Sequence, residues 1–318
     1  MAWRPLVARV KSWTREAYVP LRVMVHPDEG EIWGQALGVQ TPCTSVVAGF
    51  VLKQQRERLS NFSDLLEVTD SEIVMKPQFR SIEERSRAFQ KMEAELKQEG
   101  AFPFWQAEFY MAKTTFSSPT LFTYHRGVGP YFGLSQFATH LNGFVRDKET
   151  GAVTHVWIAT RSASKKRWPL MRDTIVGGGL PAGISALDNM VKEAEEEAGL
   201  EPSWTRQRFV SVGSISYVSK HPYGLTSDTM LIFDVELPSG IVPANQDGEV
   251  ESFDLLPVQD ALALLWSEPE RFKPDVCLLL LDFFVRHGVI TADNFSDYEE
   301  LQRALRSTKN PYEVANRA

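Results

Sequence analysis

From residue 177 to residue 200 the chain reads Gly-Gly-Gly-Leu-Pro-Ala-Gly-Ile-Ser-Ala-Leu-Asp-Asn-Met-Val-Lys-Glu-Ala-Glu-Glu-Glu-Ala-Gly-Leu. Glu193, Glu196 and Glu197 fall at i, i+3 and i+4, so a helix here carries three carboxylates on one face. Uncompensated, they repel one another and destabilise the helix. A hard divalent cation removes that penalty: Mg²⁺, with Mn²⁺ as an alternative, favours carboxylate oxygen and bridges to substrate phosphates. The adjacent glycines let backbone approach a ligand closely, and the Gly178 carbonyl is a candidate further metal oxygen. A Glu-rich run alone is more often a solvated face, and Lys192 lies four residues from both Asp188 and Glu196. The glycines, helix caps and acidic face at fixed offsets favour the metal. Arg161 and Lys165 follow a strand-like run and are candidate phosphate-binding residues, Arg161 as a two-pronged fork. Lys166 and Arg167 beside them fit an ordinary charged surface equally well. Trp157, Trp168 and Phe132 could stack on a flat heterocycle, although buried aromatics are usually core. His140 and His155 are expected to be structural.

The elements that must position these groups are partly legible. Ser185 is a natural N-cap with Asp188 three residues on, and Gly199 suits a left-handed stop. Leu187, Val191, Ala194 and Ala198 form the apolar stripe of a helix over 185–198. Residues 46–52, 65–75, 108–115, 121–125, 139–146, 154–160, 209–217 and 229–237 read as strands or strand regions. Helices are expected over 54–62, from Ser81 to Lys97 behind a Ser-x-x-Glu capping box, and over 258–265 and 275–287. The resulting division is an unassigned segment 1–43, a small α+β domain 44–125 and a catalytic domain 126–318. Strands flanked by helices indicate an α/β sandwich with a mixed sheet.

Composition narrows the partners. The 318 residues carry a formal charge of −7, giving no broad attraction for nucleic acid or an anionic membrane. An acidic protein handling a phosphorylated small molecule needs a cation or local basic residues. Cys43 and Cys277 are too few and too distant for a disulfide framework, which suits reduced thiols in a cytoplasmic protein. The run 276–285 is too short to span a bilayer and reads as a core helix. The first 25 residues carry five basic groups against Glu16 alone, a bias shared by organelle-targeting peptides, though an irregular basic N-terminus is the simpler account. Composition is silent on oligomeric state.

With these residues in place, the stretch resembles the Nudix box, G-x5-E-x7-R-E-U-x-E-E-x-G-U. Gly178, Glu193, Glu196, Glu197, Gly199 and Leu200 match it; Ile184 replaces a glutamate, Lys192 replaces the arginine, and Ala194 is smaller than usual. Further stretches are similar to the thiamine-diphosphate-type Nudix hydrolases, which stand alone or are fused to thiamine pyrophosphokinase. These are 104–110, 139–144, 157–162 with Lys165, 247–251, and 272–290. The resemblance implies a Nudix α/β/α sandwich preceded by a smaller α+β domain. It further implies Mg²⁺-dependent hydrolysis of thiamine diphosphate or its oxidised derivatives to the monophosphate and phosphate. Glu193 and Glu249 are then the catalytic candidates, with Glu249 a further carboxylate in a loop after the 229–237 strand. Gly178, Glu193, Glu196 and Glu197 are the metal candidates. Two alternatives stay open: a Nudix hydrolase of ADP-ribose or another nucleoside diphosphate derivative, and a catalytically weak diphosphate-binding module, which Ile184 and Lys192 motivate. RNA decapping is disfavoured by the acidic composition.

Overall fold

The computed structural model describes residues 3–10, 15–37, 44–102, 105–306, 312, 315 and 316. Cys43 and Phe104 lie outside these residues. The helices are α1 (Trp3–Val10), α2 (Pro27–Leu37), α3 (Arg56–Ser60), α4 (Ile82–Gln98), α5 (Gly129–Phe132), α6 (Ala186–Ala198), α7 (Pro202–Arg206), α8 (Val258–Ser267), α9 (Pro274–Arg286) and α10 (Tyr298–Arg306). The strands of the first half are β1 (Tyr18–Met24), β2 (Ser45–Leu52), β3 (Leu66–Val68), β4 (Ile73–Met75), β5 (Phe109–Ala112) and β6 (Phe122–His125). Those of the second half are β7 (Ser135–Arg146), β8 (Val153–Arg161), β9 (Arg172–Asp173), β10 (Val176–Gly179), β11 (Val210–His221), β12 (Gly224–Glu236) and β13 (Val250–Pro257).

The first half builds a four-stranded sheet of order β2-β1-β4-β3 and a separate β5-β6 hairpin. Helix α4 starts where its capping box predicts: the Ser81 hydroxyl accepts from the Glu84 amide, and the Glu84 carboxylate accepts from the Ser81 amide. Its Phe89, Met92 and Leu96 bury into the core of this half. One sequence expectation changes here. Residues 1–43 show no clear pattern because Pro20, Pro27, Gly30 and Gly34 interrupt it, yet Tyr18–Met24 pairs along β2 and joins that sheet. A bulge between Leu21 and Arg22 shifts the register, which blurs the alternation a strand would otherwise show.

The second half is the expected sandwich. Its seven-stranded sheet runs β11-β12-β7-β8-β13, with β10 on β7 and β9 on β8. The β7–β12 pair is parallel and the others antiparallel, so the sheet is mixed. Alternation sends Leu141, Phe233 and Val235 to one face, where they pack on Met190, Ala194 and Ala198 of α6. It sends Phe144, Ile158, Met230 and Ile232 to the other, under α8, α9 and α10. Helix α9 is buried nearly throughout, as the run 276–285 suggested. No helix among the described residues is long and apolar enough to cross a membrane.

Candidate active site

Helix α6 is bounded by its own sequence. The Ser185 hydroxyl accepts from the Asp188 amide at 3.1 Å, and Gly199 ends the helix at φ 64°. Asn189 fixes the helix against the glycines: its amide nitrogen donates to the Thr139 hydroxyl at 2.8 Å and to the Gly179 carbonyl at 3.1 Å. The glycines themselves are not a loop. Residues 176–179 pair antiparallel with β7, Gly177 opposite His140 and Gly178 opposite Thr139. Glycine is required because α6 and the β5–β6 hairpin press on both sides. A Cβ on Gly178 would meet the Glu193 carboxyl carbon at 2.2 Å, and one on Gly179 the Tyr110 hydroxyl at 1.6 Å.

The ladder determines which glycine oxygen faces outward. The Leu180 amide donates to the Phe137 carbonyl at 2.8 Å, which sets the phase of the alternating bonds. Gly178 is then the residue whose amide and carbonyl face Thr139. Gly177 turns its amide and carbonyl away from β7, and its amide donates to the Glu197 carboxylate at 3.0 Å. The outward oxygen beside the carboxylates therefore belongs to Gly177, not Gly178.

The three helix glutamates also separate. Glu197 is buried and Glu193 nearly so, with a side chain 16% exposed. Burial pushes the Glu193 carboxyl above its ordinary value, against the pull of Lys192. Burial, with help from the Glu193 and Asp173 charges, pushes Glu197 up to about 8 even though the Gly177 amide favours its anion. Glu196 instead lies out on the helix surface, 2.8 Å from Lys192, which also reaches Glu193 at 3.4 Å. Asp188 is held by Arg206 rather than by Lys192.

Opposite Glu197, a cleft is lined by Arg161, Lys165, Asp173, Thr174, Gly177 and Glu249. Glu249 immediately precedes β13, a strand absent from the sequence expectations, and its carboxylate is hydrogen-bonded to Lys165. Burial opposes the Glu249 anion, but Lys165 and a hydrogen bond from Glu197 outweigh it and hold the pKa down. Lys165 thus lines the cleft with its ammonium resting on a carboxylate. Arg161 is not a free fork: it donates to Asp173 at 2.7 Å and to the carbonyls of Trp168 and Arg167 at 3.0 and 3.2 Å. It clamps the loop 162–171, in which Trp168 and Leu170 sit at φ 53° and 58°, a strained backbone for side chains of that size.

Sequence reasoning missed a buried polar group behind this cleft. Asp173 is flanked by Arg161 and by Lys273, the latter at 3.8 Å, and Lys273 also reaches Asp275 at 3.1 Å. Burial works against the Lys273 ammonium, but the two aspartates outweigh it and raise its pKa. His140 is buried with its Nδ1 on the Thr174 hydroxyl at 3.0 Å, and burial lowers its pKa to about 4, so it is a neutral structural histidine. Among the described residues the His155 side chain likewise bonds only to the Thr154 hydroxyl. Of the three candidate stacking aromatics, Phe132 and Trp157 belong to the cores, and Trp168 is half-buried in the clamped loop.

Comparison with known proteins places this arrangement. The NUDIX domain model matches residues 140–276, and a domain of unknown function, DUF4743, matches residues 44–136. Nudix hydrolase 20 of Arabidopsis thaliana, named chloroplastic, is 35% identical over 82% of this chain and 71% of its own length. The chain belongs to the Nudix hydrolase family. Nudix hydrolase 24 of the same plant, also named chloroplastic, is 36% identical over 82% of this chain and 70% of its own. An uncharacterised protein of Saccharomyces cerevisiae is 34% identical over 55% of this chain and 54% of its own. Family membership makes this Nudix protein a hydrolase of phosphoanhydride bonds.

Nudix hydrolases work with a divalent metal, and the donor set can be checked for fit. Among the described residues no three histidine, cysteine or acidic side chains are drawn together into a ready-made metal cage. The chemistry of the donors nevertheless suits a hard cation. Two buried carboxylates, both pushed toward protonation, stand beside the outward Gly177 carbonyl, and Glu249 joins one of them. A divalent ion relieves that burial cost directly.

Proposed function

We propose that this Nudix hydrolase is a Mg²⁺-dependent diphosphatase acting on thiamine diphosphate or its oxidised derivatives, releasing the monophosphate and phosphate. Mn²⁺ is the alternative metal. The observation that carries the reaction class is the pair of buried carboxylates, Glu193 and Glu197, beside the outward edge of Gly177. Glu193, Glu197, Glu249 and the Gly177 carbonyl would hold the metal, with Glu196 joining by turning away from Lys192. Bound there, the ion offsets phosphate charge and lowers the pKa of an attacking water. Lys165, released from Glu249, is placed to take a phosphate oxygen. Glu249 or Glu193 then serves as the base for that water, its carboxylate receiving the proton. Arg161 acts on phosphate indirectly, by fixing the loop that carries Lys165.

The thiamine class is supported by the family landmarks and by where they meet. Tyr110, from the first of them, lies over Gly179, which follows the two glycines of the metal edge. Arg126 lies beside it, within 5.6 Å of the Tyr110 ring and 2.9 Å from Glu108. Asn142, from the second landmark, and Arg286 and His287, from the last, converge on Asp234. Phosphate release from thiamine diphosphate, its oxidised analogues and ADP-ribose, each with and without Mg²⁺, tests the proposal. Preference for ADP-ribose with no thiamine compound hydrolysed would sink the substrate class and leave the reaction class intact. Tight binding with no turnover of any diphosphate would instead favour the binding-module alternative raised by Ile184 and Lys192. The partner is taken to be the small-molecule substrate alone, without nucleic acid or membrane. We place the protein in the cytoplasm, as its cysteine usage suggests; the plant relatives' chloroplastic names make cell fractionation the check.

A further inference from the structure

One half-buried carboxylate on the sheet is unused by the chemistry above. Asp228 of β12 pairs with Gln136 of β7 and with Tyr217 of β11. Partners in a ladder share a face, and every second residue returns to it, so Asp228 and Tyr217 lie on the same face as Met230, Ala138 and Gly179. From Gly179 to Asp228 is two strand spacings across, about 10 Å, and one repeat along, about 7 Å. The direct separation is therefore on the order of 12 Å from Gly179, and roughly 17 Å from Gly177 at the metal edge, which sits one further repeat along.

The surroundings of Asp228 are informative. Among the described residues its one side-chain hydrogen bond comes from the Tyr217 hydroxyl, at 2.7 Å. No cation pairs with it within salt-bridge distance among the described residues, whereas Asp173 has Arg161, Asp275 has Lys273, and Asp234 has Arg286. Asp228 keeps some solvent access while Tyr217 is buried. Burial and the Asp275 charge raise its pKa; Tyr217, Arg167 and Lys273 pull the other way without cancelling them. An anion left without a partner at this depth is costly unless a ligand supplies the missing charge or donor. Arg167, on the clamped loop, contributes its field from the rim. Tyr110, packed on Gly179, is also within the field of Asp228.

We propose that Asp228, oriented by the Tyr217 hydroxyl, recognises the ring end of the substrate and selects a heteroaromatic group bearing both a positive charge and an amino donor; this rests on the diphosphatase proposal above. A carboxylate accepts from an amino group and attracts a cationic ring, whereas an uncharged ring without a donor would leave it buried and unpaired. Asp228 is thus a specificity residue, remote from the bond that breaks.

The test compares wild type with Asp228→Asn, and with Asp228→Ser as a second charge-free variant in case the amide fails to fold. Turnover of thiamine diphosphate and of ADP-ribose is measured with Mg²⁺, and thiamine monophosphate binding is measured by calorimetric titration. The expected result is a loss of about tenfold or more in kcat/KM for thiamine diphosphate, mostly through KM, with thiamine monophosphate binding weakened by a similar factor. ADP-ribose loses less, so the ratio between the two substrates falls. Unchanged thiamine diphosphate kinetics and unchanged thiamine monophosphate binding would overturn the role of Asp228 while leaving the diphosphatase proposal standing. Wild type that turns over no thiamine compound would overturn the substrate class instead. The titration still decides Asp228 in that case: binding weakened in the variants supports it, and equal binding, or none to wild type, overturns it.

Discussion

At the residue scale, carboxylates of the same type and spacing have unequal roles. Glu197 is buried against the Gly177 amide, Glu193 presses on Gly178, and Glu196 is shared with Lys192 on the surface. Replacing Glu197 by Gln is expected to lower Mg²⁺-dependent turnover by at least about a hundredfold. Because the amide removes a charge that burial already disfavours, the melting temperature without Mg²⁺ should stay level or rise. A variant that melts lower and loses turnover in proportion would mark Glu197 as merely structural. The identities and helical spacing of these glutamates were legible because they depend only on local periodicity. Which glycine carbonyl faces outward was not, since the phase of the β7–β10 ladder is set by pairing between segments more than thirty residues apart. Arg161 shows the same limit: its type suits phosphate, but the fold spends its donors on Asp173 and on its own loop.

At the element scale, α6 was legible from cap to cap, and its ends make quantitative claims. Gly199 at φ 64° is a position where a side chain is strained, and an added Cβ would also crowd Gln246. Gly199→Ala should therefore cost about 1–2 kcal/mol, read as a lower urea midpoint with an unchanged m-value. A shift no larger than that of an exposed mid-helix substitution such as Glu195→Ala would show that the left-handed stop is unimportant. Other elements escaped notice for physical reasons. Strand β10 is three glycines after a valine, with no side chains to express strand preference, and exists because β7 and α6 hold it. Among the described residues strand β13 pairs only with β8, and it shows a weak burial alternation, so its sequence carries little period-two signal. The first strand, β1, contains Pro20 and a bulge. Helix α9 was plain because it is apolar on nearly every side.

At the scale of the whole molecule, stability rests on polar groups whose partners come from distant segments. Asp234 of β12 receives Asn142 of β7 at 2.9 Å, Arg286 of α9 at 2.6 Å and His287 at 2.8 Å. Burial opposes its charge, but these partners hold its pKa below the ordinary value. Asp234→Ala leaves Arg286 with Asp282 alone and strands the Asn142 and His287 donors, and should cost about 2–3 kcal/mol in urea unfolding; a loss under about 1 kcal/mol would mean the network adds little. Glu93 of α4 makes the opposite case. Its side chain is fully buried against His125 of β6, whose ring is packed between Trp105 and Phe109 at centroid distances of 4.0 and 4.4 Å. Burial lifts the Glu93 carboxyl from 4.5 to about 9, against a hydrogen bond from the His125 amide. Burial and the nearby Lys97 lower the His125 imidazole, so the pair is neutral at pH 7 and the carboxyl donates to Nδ1 at 2.8 Å. The folded protein thus holds a proton on Glu93 over a range where the unfolded chain has released it. A carboxyl raised in this way contributes its full stability below about pH 4.5 and loses it as pH climbs toward 9. Wild type should therefore lose on the order of a few kcal/mol between pH 5 and pH 9 beyond what Glu93→Gln loses, because the amide keeps a donor but cannot ionise. Urea midpoints measured across that interval on both proteins give the comparison directly. Parallel curves would show that Glu93 is ionised in the fold and paired with a protonated His125.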